Sequence, residues 1–244
     1  MRKFLLGIPL DDFSLDEIIE RLLRGKRQLQ IFINIHKVVL FHRNDCLRNI
    51  ILDDDSLFSV DGKWVEWMAL AKGLRVKQRF GGLDVVERIC ALSEKNKLKI
   101  YFLGAKEDVL NEALNKIKLR FPLANIVGSQ GGYFYDEENL VRQLQKCQAE
   151  VFFLGLPSPK KEILSNRLFK EVVSLRYVCG VGGGFDILAG KHARAPLWMQ
   201  QAGFEWFYRC LQSPKYFRRY CSDFFVLMYI MIKCYFKRVF GVKR

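Results

Sequence analysis

Close-set metal-binding and disulfide residues are what this chain most conspicuously lacks. Its histidines are three (His36, His42, His192), and its seven cysteines (46, 90, 147, 179, 210, 221, 234) are scattered without one Cys-x-x-Cys pair. A zinc site needs clustered ligands and a disulfide framework needs an even, paired set, so neither is expected. Reduced thiols buried among apolar neighbours are the expectation instead. Internal repeats, low-complexity tracts and Pro/Ser linkers are also missing, and with only six prolines the chain does not read as a string of modules. The two common phosphate-loop signatures, G-x-G-x-x-G and G-x-x-x-x-G-K-[ST], do not occur. A dinucleotide fingerprint and a Walker nucleotide loop are therefore unsupported.

What is present suffices for a sizeable core. Half of the 244 residues are apolar, which fits one domain or one domain with an appendage. The net charge of +14 is unevenly placed, since residues 191–244 hold eleven Lys/Arg against Glu205 and Asp223 and so carry +9 of it. Such asymmetry marks a basic surface for phosphates, nucleic acid or anionic lipid. Met1-Arg2-Lys3-Phe4-Leu5-Leu6 begins like a signal peptide, but Pro9 and Asp11-Asp12 cut the apolar stretch short, and a cytoplasmic location is expected.

Between residues 98 and 190 one pattern recurs three times: an apolar run, a glycine turn, then a helix-like segment. The runs are Lys99–Gly104, Val151–Gly155 and Tyr177–Gly182, with Ala124–Val127 as a further strand. Near-continuous apolar runs suit strands covered on both faces, and their alternation with helices predicts a Rossmann-like, mostly parallel α/β sheet. In the first third, Ser14 and Glu17 have capping-box spacing ahead of a helix. An extended run covers Leu29–Asn34, and helix-like segments cover about residues 37–51, 63–72 and 84–95. One soft boundary is placed near Lys191, dividing a core of residues 1–190 from a basic, apolar helical appendage of residues 191–244.

The appendage ends in nine apolar residues, Phe224–Ile232, followed by Lys233, Lys237 and Arg238. As a helix this run reaches about 14 Å, against a hydrocarbon core of about 30 Å, so it cannot span a bilayer alone. An interfacial helix with snorkelling lysines and a helix packed into the core both remain open.

Three turns place backbone N–H groups at helix starts, where a diphosphate is favoured: Gly104-Ala105-Lys106, Gly155–Lys160 and Gly182–Phe185. Each is equally compatible with a structural tight turn. Asp61-Gly62 follows the apolar run Leu57–Val60, so Asp61 is either a general base at the end of a strand or the cap of the next helix. Arg79, in Arg79-Phe80-Gly81-Gly82-Leu83-Asp84, can hold a phosphate or bridge to Asp84 or Asp61. The run Asp53-Asp54-Asp55 lacks the strand that would deliver a metal-binding Asp-x-Asp element and reads as a solvated helix end. Arg194, Arg209, Lys215, Arg218 and Arg219 lie among Trp198, Trp206, Phe207, Tyr208, Tyr216 and Tyr220. Such a mixture binds single-stranded nucleic acid or a lipid diphosphate at a membrane, and the apolar run that follows favours the lipid.

Together these motifs resemble the WecG/TagA/CpsF glycosyltransferase family. The likeness runs from Leu6–Asp11 to about Tyr220 and is most specific at Val60-Asp61-Gly62, Arg79–Asp84, Gly155–Glu162 and Gly180–Arg209. It implies an inverting transferase needing no metal and no cofactor. Such an enzyme moves a sugar (N-acetylmannosamine, its uronic acid or glucose type) from a UDP-sugar to a polyprenyl-diphosphate-linked saccharide for the cell envelope or exopolysaccharide. It would work as a peripheral protein on the inner face of the cell membrane. Asp61 matches the catalytic base. Asn34, Arg79, Asp84, Gly104, Lys161, Glu162, Gly183, Phe185 and Asp186 match donor-site positions, and Arg194, Arg209, Arg218 and Arg219 fall where the acceptor's lipid diphosphate is met. Nucleic acid is not an expected partner; the oligomeric state, a homo-oligomer included, stays open.

Three positions depart from the family pattern: Phe32 for Thr, Leu83 for Ser or Thr, and Lys161 for Gln. Each replaces a neutral hydrogen-bonding group of the kind that selects sugar hydroxyls, so the donor sugar is open and Lys161 raises the option of an acidic one. Two other classes compete. A nucleotide-sugar oxidoreductase or epimerase would use the same sheet but wants the missing dinucleotide fingerprint. A non-enzymatic RNA- or membrane-binding module would use the tail, and the RNA version would show a steep salt dependence of binding.

Overall fold

Successive side chains on a strand point to opposite faces, so a strand apolar at almost every position belongs in a sheet covered on both sides. The computed structural model describes residues 2–53, 56–133 and 136–239; the side chains of residues 215, 235 and 237–239, and so those of Lys215, Lys237 and Arg238, lie outside the description, as do Asp54 and Asp55 altogether. The chain opens with a two-stranded antiparallel ribbon, β1 (Lys3–Leu5) and β2 (Ile8–Leu10). Both residues of its turn have positive φ, 51° at Leu6 and 84° at Gly7, the geometry that matches a two-residue hairpin to strand twist. The stretch that begins like a signal peptide is thus a hairpin with Leu5 and Ile8 buried.

Six strands follow: β3 (Gln28–Ile33), β4 (Ser56–Val60), β5 (Ile100–Gly104), β6 (Ile126–Gln130), β7 (Val151–Gly155) and β8 (Tyr177–Gly180). They form one parallel sheet in the order β4-β3-β8-β7-β5-β6. The helices are α1 (Leu15–Leu23), α2 (Ile35–Arg43), α3 (Asp45–Leu52), α4 (Lys63–Ala71), α5 (Gly82–Asn96) and α6 (Glu107–Arg120). After them come α7 (Glu137–Cys147), α8 (Lys160–Glu171), α9 (Gly184–Leu188), α10 (Leu197–Gln201), α11 (Glu205–Gln212) and α12 (Lys215–Val239). The chain is therefore α/β and Rossmann-like, with a C-terminal helical segment. Ser14 and Glu17 form the expected capping box on α1. The single helix expected over residues 37–51 is two, because the side chain of Asn44 accepts from Leu47 N–H at 2.8 Å and starts α3 where α2 stops.

On one face Phe102, Phe153 and Cys179 pack against α1, α5, α6 and α9. On the other, Phe152 and Val178 meet α7 and α8, while Ile33, Phe58 and Val60 meet α2, α3 and α4. Full burial of each such side chain stabilises by roughly 1.5–3 kcal/mol. The final helix α12 lies along α2 and divides its faces: Asp223, Leu227 and Ile230 turn inward, whereas Phe225, Tyr229, Ile232 and Phe236 are half or more exposed. The inward side of the helix thus packs as core, and its outward side is apolar and exposed. Among the described residues no helix is long and apolar enough to cross a membrane.

Candidate active site

All six parallel strands end on one edge, where open α/β sheets bind ligands. At that edge Asp61 follows β4, its N–H bonded to the Ile33 carbonyl of β3 at 2.9 Å. The cap position of α4 is Gly62, at φ 97°, and no side chain caps that helix. Asp61 is therefore not a capping residue: among the described residues its carboxylate accepts no hydrogen bond. It instead lines a cavity of about 460 Å³, together with Asn34, Glu205, Arg209, Arg219 and Tyr220. Burial, and then the neighbouring Glu205 carboxylate, push the Asp61 carboxyl above the usual aspartate range, against the pull of Arg209, Arg79 and Lys161. A carboxylate so shifted is a stronger base than an exposed one.

The far wall comes from the C-terminal segment. Trp64 of α4 donates its indole N–H to the Gly203 carbonyl at 3.2 Å, tying the start of α11 to the core. Residues four apart share a helix face, so Glu205 and Arg209 of α11 pair, at 2.5 Å. Burial alone would lower the Arg209 guanidinium, but Glu205, Tyr220 and Asp61 hold it above its ordinary value. Arg219 stacks over Tyr216 and Tyr220, with its guanidinium carbon 5.0 and 5.1 Å from the ring centres. Arg79 reaches Asp61 electrostatically while bonding the Gln200 carbonyl at 3.3 Å and lying 3.6 Å from Glu66. Of its two open readings, a bridge to Asp84 is not made.

Beside this cavity sits a second, closed group of charges. Lys37 of α2 pairs with Glu162 of α8 and bonds the Ser158 hydroxyl at 2.8 Å, with both charged side chains almost wholly buried. Lys161 lies 3.7 Å from the same Glu162 oxygen and lays its chain over Gly180, where an added Cβ would come within 2.9 Å of it. Burial pushes Glu162 up, but Lys161 and Lys37 overcome this and hold it below the usual carboxylate range. Burial pulls Lys37 down to about 8 against the attraction of Glu162.

The remaining expected site residues are more dispersed. Asn34 lines the cavity while its side-chain oxygen caps α2 by accepting from Lys37 N–H at 3.0 Å. Asp84 accepts from Gly81 N–H at 2.9 Å and pairs with Arg194 at 2.6 Å, so these two residues, assigned to donor and acceptor, hold each other. Gly104, at φ 112°, packs so tightly on β7 that a Cβ would come within 2.8 Å of the Gly155 backbone. Phe185 has its side chain fully buried against Phe102, which leaves only its backbone for a ligand. Gly183 and Asp186 stand together at the start of α9, and Arg218 is exposed on α12; none of the three lines the cavity. Asp53 ends α3 and pairs with Lys170 at 2.7 Å. No group of three or more His, Cys, Asp or Glu side chains that could hold a metal occurs among the described residues.

Sequence reasoning did not single out Lys37, His36, Glu205 or Tyr220 for the site. Only the Glu205–Arg209 spacing could have been found by pattern, as an opposite-charge pair four residues apart. His36, in the first turn of α2, lines the cavity and places Nδ1 2.9 Å from the buried Asp223 of α12, a contact across 187 positions.

Comparison with known proteins agrees with this architecture. An enzyme of Bacillus subtilis (strain 168), N-acetylglucosaminyldiphosphoundecaprenol N-acetyl-beta-D-mannosaminyltransferase, is 33% identical over 175 residues, covering 70% of this chain and 67% of that protein. The family model described as "Glycosyl transferase WecG/TagA/CpsF family" matches residues 3–240, and the chain belongs to that family of glycosyltransferases.

Proposed function

We propose that this protein moves a sugar from a UDP-sugar to a polyprenyl-diphosphate-linked saccharide with inversion, and that Asp61 is its general base. The observation that carries the reading is a carboxylate with no hydrogen bond among the described residues, made more basic by burial, in the wall of a cavity that Arg209, Arg219 and several aromatic side chains also line. Asp61 takes the proton of the acceptor hydroxyl as that oxygen attacks the anomeric carbon from the face opposite the diphosphate. The anomeric carbon–oxygen bond breaks and UDP leaves with the electron pair. Arg79 and Lys161, two of the cations that already act on Asp61, meet the charge developing on the leaving group in place of a metal ion. One displacement inverts the anomeric centre.

The name of the Bacillus subtilis relative supports an N-acetylmannosamine-type donor and an N-acetylglucosamine-bearing lipid diphosphate acceptor. Lys161, a cation at the Gly180–Gly182 turn, supports the uronic form of that donor. The outward stripe Phe225, Tyr229, Ile232 and Phe236, with Phe207 and Leu211 of α11 exposed as well, supports peripheral seating of the 191–244 appendage on the inner membrane face.

The test is a screen of UDP-N-acetylmannosamine, its uronic acid and UDP-glucose against one lipid-diphosphate-linked N-acetylglucosamine, read by product mass and anomeric configuration. Addition of one inverted sugar is the expected result. No addition from any UDP-sugar, or retention of configuration, overturns the reading; equal use of neutral and uronic donors by wild type and Lys161→Gln removes the acidic-donor assignment.

A further inference from the structure

Asp223 is the buried acid of an otherwise apolar inward stripe on α12, only 5% exposed between Phe224 and the packing residue Leu227. A carboxylate in such a place costs stability unless it is paired. Its partner is His36, whose Nδ1 lies 2.9 Å from Asp223 Oδ2. An ionised carboxylate only accepts, so Nδ1 carries the proton and donates it. The ring is thereby fixed, and its second nitrogen, Nε2, has no partner among the described residues although His36 lines the Asp61 cavity. Asp223 does for His36 what a carboxylate behind a ligand-binding histidine does elsewhere: it keeps a proton on Nδ1 and sets the aim of the ring.

The place of His36 defines what Nε2 meets. Asp61 and Asn34 line the same cavity, as do Phe224 and Phe225 of α12. Phe225 is 72% exposed. In the reading given above the acceptor hydroxyl lies at Asp61, so its diphosphate lies one sugar away, and the aromatic lining from Phe224 and Phe225 suits the lipid end of that molecule. We propose that His36 is a ligand-contacting residue that donates from Nε2 to an oxygen of the acceptor diphosphate, and that Asp223 is the residue that positions it. Donation from both ring nitrogens makes the bound ring an imidazolium, with a carboxylate at Nδ1 and a phosphate oxygen at Nε2. Arg209 and Arg219, in the same wall, supply the remaining positive charge. Since Asp223 belongs to α12 and His36 to α2, the site is complete only with α12 seated on the core. The proposal rests on the lipid-diphosphate acceptor.

Two full-length variants separate contact from latch. His36→Asn presents a polar group where Nδ1 sits and can keep the bond to Asp223, with nothing at the Nε2 position. His36→Gln reaches the Nε2 position and releases Asp223. Transfer at saturating donor is compared between a sugar on a lipid diphosphate and the same sugar on a neutral alkyl glycoside. His36→Asn should raise KM for the diphosphate acceptor roughly tenfold or more, as expected for a lost hydrogen bond to a charged group, and leave the neutral acceptor nearly unchanged. His36→Gln should recover part of that loss, and Asp223→Asn should show a smaller form of the same split. Wild-type KM in His36→Asn, or equal losses on both acceptors, overturns the proposal while the acceptor reading stands. A wild-type enzyme indifferent to the diphosphate overturns both.

Discussion

Two clusters of charge share the carboxyl edge of the sheet, and they have opposite characters. In the Lys37–Ser158–Glu162 cluster the carboxylate is held below its usual range by two lysines, one of which, like Ser158, also bonds it. In the Asp61 cluster three cations act on the carboxylate, yet burial and Glu205 outweigh them and its affinity for a proton rises. The first carboxylate is held through Oε1 by Lys37 and Ser158, and its Oε2 is buried without a hydrogen-bond partner among the described residues. The second has cations close enough to steady a leaving group, but no partner that quenches it. Charge and burial alone therefore do not separate the two clusters; among the described residues, what sets Asp61 apart is that neither carboxylate oxygen accepts a hydrogen bond and that it lines the cavity.

The largest effect should come from Asp61→Asn, which keeps shape and removes the base. Turnover is expected to fall roughly 10²- to 10⁴-fold, with donor binding retained. Stability should move the other way. Because folding raises the Asp61 pKa, the stability this residue lends at acid pH is lost as pH rises through the raised value. The neutral Asn escapes that loss, so thermal melting near neutral pH should rise above wild type. Near-wild-type turnover, or a lower melting temperature, would break the contrast between the clusters.

Lys37→Met tests the other side. Removing one partner of a buried pair should destabilise by about 3–5 kcal/mol in denaturant unfolding, because Glu162 stays buried and poorly compensated. The double change Lys37→Met/Glu162→Leu should recover most of that loss, since an apolar replacement of both partners is often close to neutral. A single variant as stable as wild type would show that Lys161, 3.7 Å away, is partner enough.

The strands were legible because their apolar runs are nearly continuous, and α1 because Ser14 and Glu17 satisfy each other. The break at Asn44 was not, since one side chain ends and restarts a helix without glycine or proline. Nor was the N-terminal hairpin, whose turn puts the bulky Leu6 at φ 51°. Asp61 stood out by position, but its freedom from capping is a fact of three dimensions. Gly104 packs its backbone on Gly155 and Phe185 fills the core, so a glycine beside a strand end does not by itself report a ligand. Lys37 with Glu162 and His36 with Asp223 meet across 125 and 187 positions, and nothing local in the chain announces such pairs.

The smallest effect expected is the most diagnostic of how the Asp61 cluster is tuned. Transfer requires ionised Asp61, so kcat/KM should rise with pH through the raised value of that carboxyl. Glu205 is the second cause of the rise after burial, and it also occupies Arg209 at 2.5 Å. In Glu205→Gln the repelling carboxylate is gone and Arg209 is freed to act on Asp61, and both changes lower the Asp61 pKa. The acid limb of the pH–rate profile should therefore shift to lower pH, with a modest fall in the high-pH plateau because a less basic carboxylate is a weaker proton acceptor. An unmoved limb would assign the tuning to burial alone. A limb moved upward would mean that Arg209 turns away from Asp61 once Glu205 no longer holds it, and that the pair on α11 exists to aim the guanidinium as much as to tune the base.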